Sequence, residues 1–222
     1  MTTLENRRPL KVREREWAKR CARWLSRRAI TPNQISIGSV VCALLAALSL
    51  LALREGYLLA AWAAALFIQC RLLCNLFDGM VAVEGGKSTP AGELFNDIPD
   101  RLADPLILVA AGYAVAVVSW GADLGWLAAL LAVLTAYVRT LASASGAPTR
   151  FTGPMAKQQR MAVMTLAALL TPLESFFNGT TGYALLLALL LIAVGSAVTA
   201  ARRTRDAFHY LTTSAMPSAS DD

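Results

Sequence analysis

The sequence predicts an all-α integral membrane protein: a six-transmembrane-helix bundle with an N-terminal amphipathic interfacial helix. The predictive features are an excess of apolar residues, their grouping into long segments, and a basic N-terminal region. Of 222 residues, 56% are hydrophobic and 16% are charged, whereas a soluble domain carries about 45–50% apolar and about 25% charged residues. Six spans of about 20 residues would take up about 120 positions. The composition therefore excludes a soluble globular enzyme, a disordered chain and a disulfide-rich secreted domain.

The first segment, residues 1–30, is basic and is punctuated by apolar side chains. Leu10, Trp17, Trp24 and Leu25 recur at spacings compatible with an amphipathic helix on an anionic leaflet. The net charge of +6 does not indicate a nucleic-acid partner, because no groove-reading motif accompanies it. Ten of the basic residues lie in this segment: Arg7, Arg8, Lys11, Arg13, Arg15, Lys19, Arg20, Arg23, Arg27 and Arg28.

The second segment, residues 31–205, is predicted to be the membrane domain. Thr31-Pro32-Asn33 is typical of a helix start, since proline fixes the first helical dihedral. Both termini are expected on the cytoplasmic side, because only Arg54 then breaks the positive-inside rule; we expect a bacterial cytoplasmic (inner) membrane. Residues 206–222 are predicted to be a disordered tail. The six predicted spans are about 34–53, 57–83, 91–118, 124–143, 157–173 and 181–201.

Candidate site residues lie where the second and third spans meet. Six acids fall between positions 78 and 104, and an acid inside a span indicates a functional site by default. Asn75 and Asp78 share one helix face, while Asn96, Asp100 and Asp104 form a stripe along the next helix. Oxygen ligands from two helices suit Mg²⁺ or Mn²⁺ with a phosphate-bearing substrate.

A structural alternative is that these acids form ion pairs with Arg71 and Arg101. Two arginines cannot neutralise six acids, so the site interpretation is favoured. A small ion or metabolite transporter is a weaker alternative, because the acids lie at one membrane face and transporter sites lie near the midplane.

Segments 75–83 and 92–100 resemble the signature of the CDP-alcohol phosphotransferases. That signature is Asp-x2-Asp-Gly-x2-Ala-Arg-x8-Gly-x3-Asp-x3-Asp, and its spacing is kept throughout. Asn33, the stretch at 137–139, Lys157 and Arg160 also resemble the family's pattern.

The resemblance implies a dimeric six-helix membrane enzyme of phospholipid biosynthesis. Such enzymes move a substituted phosphate from a CDP-linked lipid donor, such as CDP-diacylglycerol, to a small alcohol acceptor and release CMP. Mg²⁺ or Mn²⁺ is the implied cofactor, and the implied partners are the lipid bilayer and a second copy of the chain. By position, the resemblance assigns the metal ligands to Asn75, Asp78, Asn96 and Asp100, with Asp100 also the catalytic base. It assigns substrate binding to Gly79, Ala82 and Gly92.

The sequence departs from the signature at three places. Asn75 and Asn96 replace the first and third aspartates, and Val83 replaces the arginine. Asparagine offers only a neutral carbonyl oxygen, so two negative charges are missing. The neighbouring Asp97 and Asp104 are the available substitutes. These departures favour a second hypothesis, a non-catalytic relative that binds lipid or nucleotide or acts as a scaffold.

Basic residues surround the inner ends of the fourth and fifth spans. Arg139, Lys157 and Arg160 are candidates for binding the acceptor's phosphate or a lipid headgroup. The alternative is the positive-inside rule alone. Arg139 is the strongest candidate, because it lies within an apolar helix.

Overall fold

The computed structural model describes residues 15–28, 30–84, 92–149 and 152–214, and every regular element in those ranges is a helix. This agrees with the all-α prediction. The seven helices of the described ranges are α1 (Glu16–Arg27), α2 (Pro32–Arg54), α3 (Leu59–Glu84), α4 (Gly92–Ala114), α5 (Gly121–Ala144), α6 (Lys157–Asn178) and α7 (Tyr183–Ser214).

Helix α2 holds the site helices together, because it packs against both α3 and α4. Its buried face carries Ala43, Ala46 and Ala47, small residues that let neighbouring backbones approach closely. Helices α4 and α5 also cross at close range: a Cβ atom on Gly112 would lie 2.7 Å from the Cα atom of Gly125. The bundle is therefore closed by small side chains where its helices cross.

Helix α1 lies against α3 at the end that carries the signature. Ala18 and Ala22 are buried against Leu76 and Met80. The rings of Trp17 and Phe77 pack edge-on, with their centroids 6.2 Å apart. A helix therefore forms in the basic N-terminal segment. Its predicted position at a membrane surface stays a prediction.

Within the described ranges, five helices are long and apolar enough to cross a membrane: α2, α3, α5, α6 and α7. Large apolar side chains such as Leu48, Leu66 and Leu130 are exposed on them, as on surfaces that face lipid. Helix α4 has a comparable length of 23 residues, but it carries Asp97, Asp100, Arg101 and Asp104 and does not meet the same criterion. The count of six spans therefore stays a prediction.

The helix ends differ from the predicted boundaries mainly at the C-terminus. Helix α2 begins as predicted, with Thr31 and Gln34 forming a reciprocal capping box. Helix α6 continues past the predicted end at 173 and stops at Gly179, which adopts a positive φ of 68°. Helix α7 continues through Ser214, into the tail 206–222 for which the sequence predicts disorder; residues 215–222 lie outside the described part.

Candidate active site

Two serines on α2 hold the signature residues of α3. Asp78 is buried, at 2% exposure, and its Oδ2 atom accepts a hydrogen bond of 2.9 Å from Ser36 Oγ. The Gly79 backbone N–H donates to Oδ1 of the same carboxylate. One turn earlier, Ser39 Oγ donates to Asn75 Oδ1 over 3.3 Å. The partners of Asp78 are therefore neutral hydrogen-bond donors.

The carboxylates of α4 have cationic partners instead. Arg71 reaches them from α3 and is fully buried. Its Nη2 atom lies 3.2 Å from Asp100 Oδ1 and 2.5 Å from Asp104 Oδ1. A buried guanidinium shared by two carboxylates fixes the position of both.

Helix α6 completes this network with two cations. Lys157 Nζ contacts Asp100 Oδ2, and Arg160 Nη2 lies 3.0 Å from Asp104 Oδ2. Arg160 also donates to the Met155 carbonyl oxygen and to Thr135 Oγ1. Both oxygens of Asp100 and both oxygens of Asp104 therefore contact cations.

A third ion-pair group lies nearer the surface. Asp97 pairs with Arg101 over 2.6 Å and with Arg139 over 3.1 Å. Arg139 also lines a small pocket between α5 and α7 together with Arg203, Asp206 and Tyr210. Two nitrogens of Arg203 donate to backbone carbonyls, of Thr152 and Thr135.

The remaining predicted site residues have the following positions. Gly79 is buried, Ala82 is partly buried, and Gly92 is the first residue of α4. Asn96 lies on α4 one turn before Asp100, but its side chain lies outside the described part of the structure. The structure thus brings Asp100, Lys157 and Arg160 into one network and leaves Arg139 with Asp97.

Sequence reasoning missed the two serines and undercounted the cations. Ser36 and Ser39 stand three positions apart in an apolar helix, and polar residues buried in a span were the available signal. The count of two arginines against six acids omitted Lys157, Arg160 and Arg139. Among the described acids of α4, Asp97, Asp100 and Asp104 all have cationic partners.

The donor atoms suit a divalent cation on α3 better than on α4. No group of three or more His, Cys, Asp or Glu residues in the described ranges is arranged to hold a metal ion. Asp78 nevertheless provides a carboxylate without a cationic partner among those residues. The neighbouring Asn75 has a buried Nδ2 atom with no hydrogen-bond partner there, so a half-turn of the amide would direct its carbonyl oxygen to that side. These two residues fit one hard cation.

Comparisons with known proteins agree with the fold and the signature. The sequence profile of the CDP-alcohol phosphatidyltransferases matches residues 29–201. No curated protein matches the chain.

Among solved structures, the chain is similar to phosphatidylinositol phosphate synthase (PgsA1) of Mycobacterium tuberculosis. With the manganese and citrate complex it shares 21% identity and a TM-score of 0.71, over 92% of each chain. With the CDP-DAG complex the identity is 21% and the TM-score 0.70, over 92% of this chain and 97% of the other. With the apo form the values are 22% and 0.67, over 85% and 95%.

The structural likeness shows a common fold, and the profile match covers most of the chain. The profile match confirms the family resemblance of segments 75–83 and 92–100. The chain belongs to the CDP-alcohol phosphatidyltransferase family.

Proposed function

We propose that the chain transfers a phosphatidyl group, or another substituted phosphate, from a CDP-alcohol to an acceptor alcohol and releases CMP. The observation that carries this proposal is Asp78, a buried carboxylate at a signature position whose hydrogen-bond partners in the described part of the chain, Ser36 and Gly79, are neutral. Its charge is therefore available to a cationic ligand. The CDP-DAG complex of the mycobacterial synthase supports a CDP-linked lipid as the donor class.

The reaction forms one phosphorus–oxygen bond and breaks another. The acceptor oxygen bonds to the phosphorus that carries the diacylglycerol, and the bond from that phosphorus to the bridging oxygen breaks. CMP leaves with that oxygen, and the acceptor hydroxyl loses its proton to Asp100. Asp100 is assigned this role by its signature position, and each of its carboxylate oxygens keeps a second lone pair beside its contact with Arg71 or Lys157.

The remaining roles divide between the two ends of the substrate. Mg²⁺ or Mn²⁺, held by Asp78 with Asn75, Asn96 and Asp100 as further proposed ligands, would neutralise the charge of the pyrophosphate. Gly79, Ala82 and Gly92 would line the CDP pocket, because small residues let a nucleotide approach the helix backbone. Arg139, Lys157 and Arg160 would bind the phosphate of the acceptor or a lipid headgroup.

The membrane arrangement is part of the same proposal. Helix α4 would be the third of the six spans and would complete their number, with its acids screened from lipid by Arg71, Lys157 and Arg160. Helix α1 would lie on the cytoplasmic leaflet, with Trp17 and Trp24 exposed to the interface. Both termini would be cytoplasmic, and the enzyme would be a homodimer in a bacterial inner membrane.

A second candidate function is binding of a CDP-lipid or a nucleotide without turnover. Two observations favour it: Asn75 and Asn96 replace signature aspartates, and Asp100 already contacts two cations. A binder of this kind would use the same pocket without needing a base.

Measurement of CMP release distinguishes the two functions. The purified protein in detergent would be given CDP-diacylglycerol, Mn²⁺ or Mg²⁺, and a panel including glycerol phosphate, inositol phosphate and serine. Metal-dependent CMP formation with one alcohol supports the transferase and identifies the acceptor. Binding of CDP-diacylglycerol without CMP formation with any alcohol supports the non-catalytic relative.

A further inference from the structure

The charges around Asp100 and Asp104 leave little capacity for a second dication. The two carboxylates are matched by three cations, Arg71, Lys157 and Arg160. Two of these cations are almost completely buried: Arg71 is 0% exposed and Arg160 is 3% exposed. Among the described residues, these three cations exceed the two carboxylates they contact by one positive charge, which opposes a dication placed beside them.

Both carboxylate oxygens of Asp100 are also occupied by contacts with cations. Its Oδ1 atom faces Arg71 Nη2 at 3.2 Å, and its Oδ2 atom contacts Lys157 Nζ. A metal ligated by Asp100 would have to displace the ammonium of Lys157 or share an oxygen with it. Either change costs favourable Coulomb energy in a buried site.

Asp78 presents the opposite situation. It is buried, and within the described ranges its hydrogen bonds come from Ser36 Oγ and from the Gly79 backbone. The unpartnered Nδ2 atom of Asn75 lies one turn away on the same helix. One carboxylate and one amide can hold a single dication whose remaining positions are filled by phosphate oxygens or water.

We propose that this site binds one divalent cation, at Asp78 and Asn75, and that the Lys157 ammonium on Asp100 takes the place of a second one. The inference rests on the proposed function's assignment of Asp78 and Asn75 as metal ligands and deepens it by a revision: Asp100 is not a ligand, because Arg71 and Lys157 keep their contacts with its two oxygens. It defines the cation requirement of the site, which is one dication and one fixed lysine.

The test is the number of Mn²⁺ ions bound per chain, measured by the electron paramagnetic resonance signal of free Mn²⁺ in a titration of the full chain in detergent. We expect one ion for the unchanged chain and none for Asp78→Asn. A count of two, or of none, for the unchanged chain would overturn the inference.

Two variants test the reasons behind that count. The triple variant Asn75→Asp, Asn96→Asp, Lys157→Gln restores the missing charges and removes the fixed cation, and should bind two ions; a count that stays at one would contradict the account. If the triple variant does not elute as a monodisperse protein, Asn75→Asp alone should bind Mn²⁺ at least tenfold more tightly, and unchanged affinity would contradict the account equally.

Lys157→Gln removes the fixed cation and should tighten Mn²⁺ binding at least tenfold. The matched control is Lys19→Gln, because Lys19 is an exposed lysine of α1 whose ion pair is with Glu16. Equal effects of the two substitutions would refute the role of Lys157.

The result is independent of turnover. A chain that binds one Mn²⁺ and releases no CMP retains this inference and refutes the transferase. A chain that binds two Mn²⁺ ions and releases CMP refutes this inference and supports the transferase.

Discussion

Helices α3 and α4, the two sides of the site, stabilise their buried carboxylates with different kinds of partner. On α3, Asp78 is stabilised by a serine hydroxyl and a backbone N–H. On α4, Asp100 and Asp104 are stabilised by Arg71, Lys157 and Arg160. Hydrogen bonds from neutral donors leave the charge of a carboxylate uncancelled, whereas ion pairs cancel it. One side is therefore suited to attract a cation, and the other to hold a fixed geometry.

This difference gives the two sides different sensitivities to mutation. Loss of a cation on α4 should mainly affect folding, because it leaves buried charges without partners. Loss of a hydrogen bond on α3 should have a smaller effect on folding, and its functional effect should appear as weaker cation binding.

The largest expected effect on stability is that of Arg71→Met. Removing this guanidinium leaves Asp100 and Asp104 with fewer partners in a buried site, and breaking a buried pair costs about 3–5 kcal/mol. We expect a large drop in the midpoint of thermal unfolding in detergent. Arg71→Lys, which keeps the charge without the planar fork, should recover part of the loss. An unchanged midpoint in Arg71→Met would contradict a stabilising role for α4's ion pairs.

Ser36→Ala should have an intermediate effect. It removes the hydroxyl that donates to Asp78 Oδ2, and the loss should fall between the roughly 0.6 kcal/mol average for hydrogen bonds in membrane proteins and about 3 kcal/mol for a charged acceptor. Mn²⁺ affinity should change in parallel with the unfolding midpoint, because the hydroxyl orients the proposed ligand.

The matched control for Ser36→Ala is Ser49→Ala, on the same helix. The Ser49 hydroxyl donates to the Leu45 backbone carbonyl, so its removal should leave Mn²⁺ affinity unchanged. Equal effects of the two serine variants on Mn²⁺ affinity would show that Ser36 does not act through Asp78.

The smallest expected effect is that of Arg101→Gln. Arg101 pairs with Asp97, whose side chain is 43% exposed and has Arg139 as a second partner. Pairs of this kind contribute about 0–1 kcal/mol. We expect a shift of the unfolding midpoint much smaller than that of Arg71→Met. A shift as large would mean that burial does not distinguish the two groups of ion pairs.

The fold was predictable to the extent that it depends on periodic apolar patterns. The helices were predictable from apolar runs and turn residues, and Thr31 and Pro32 specified the start of α2. The length of α7 was not predictable. Arg203, which follows the predicted end of the last span, is buried and donates to the carbonyls of Thr135 and Thr152 in other parts of the chain. Local composition does not report such contacts.

The site was predictable at its signature positions but not in its pairing. The spacing of Asp78 and Asp100 identified both carboxylates, and the resemblance assigned them to one site. The different environments of these carboxylates depend on Ser36 from α2 and Lys157 from α6, which are distant in sequence. Their pairing follows from how α2, α3, α4 and α6 pack, and no local pattern encodes it.

The most direct test of the account is the rate of CMP release by Asp78→Asn and Asn75→Asp, compared with the unchanged chain under Mn²⁺ and CDP-diacylglycerol. The two substitutions have opposite effects on charge and lie on one face of α3. The account predicts a rate at least 100-fold lower in Asp78→Asn, since the cation loses its charged ligand, and an equal or higher rate in Asn75→Asp. A folded Asp78→Asn that keeps the full rate, or an unchanged chain that releases no CMP with any acceptor, would contradict it.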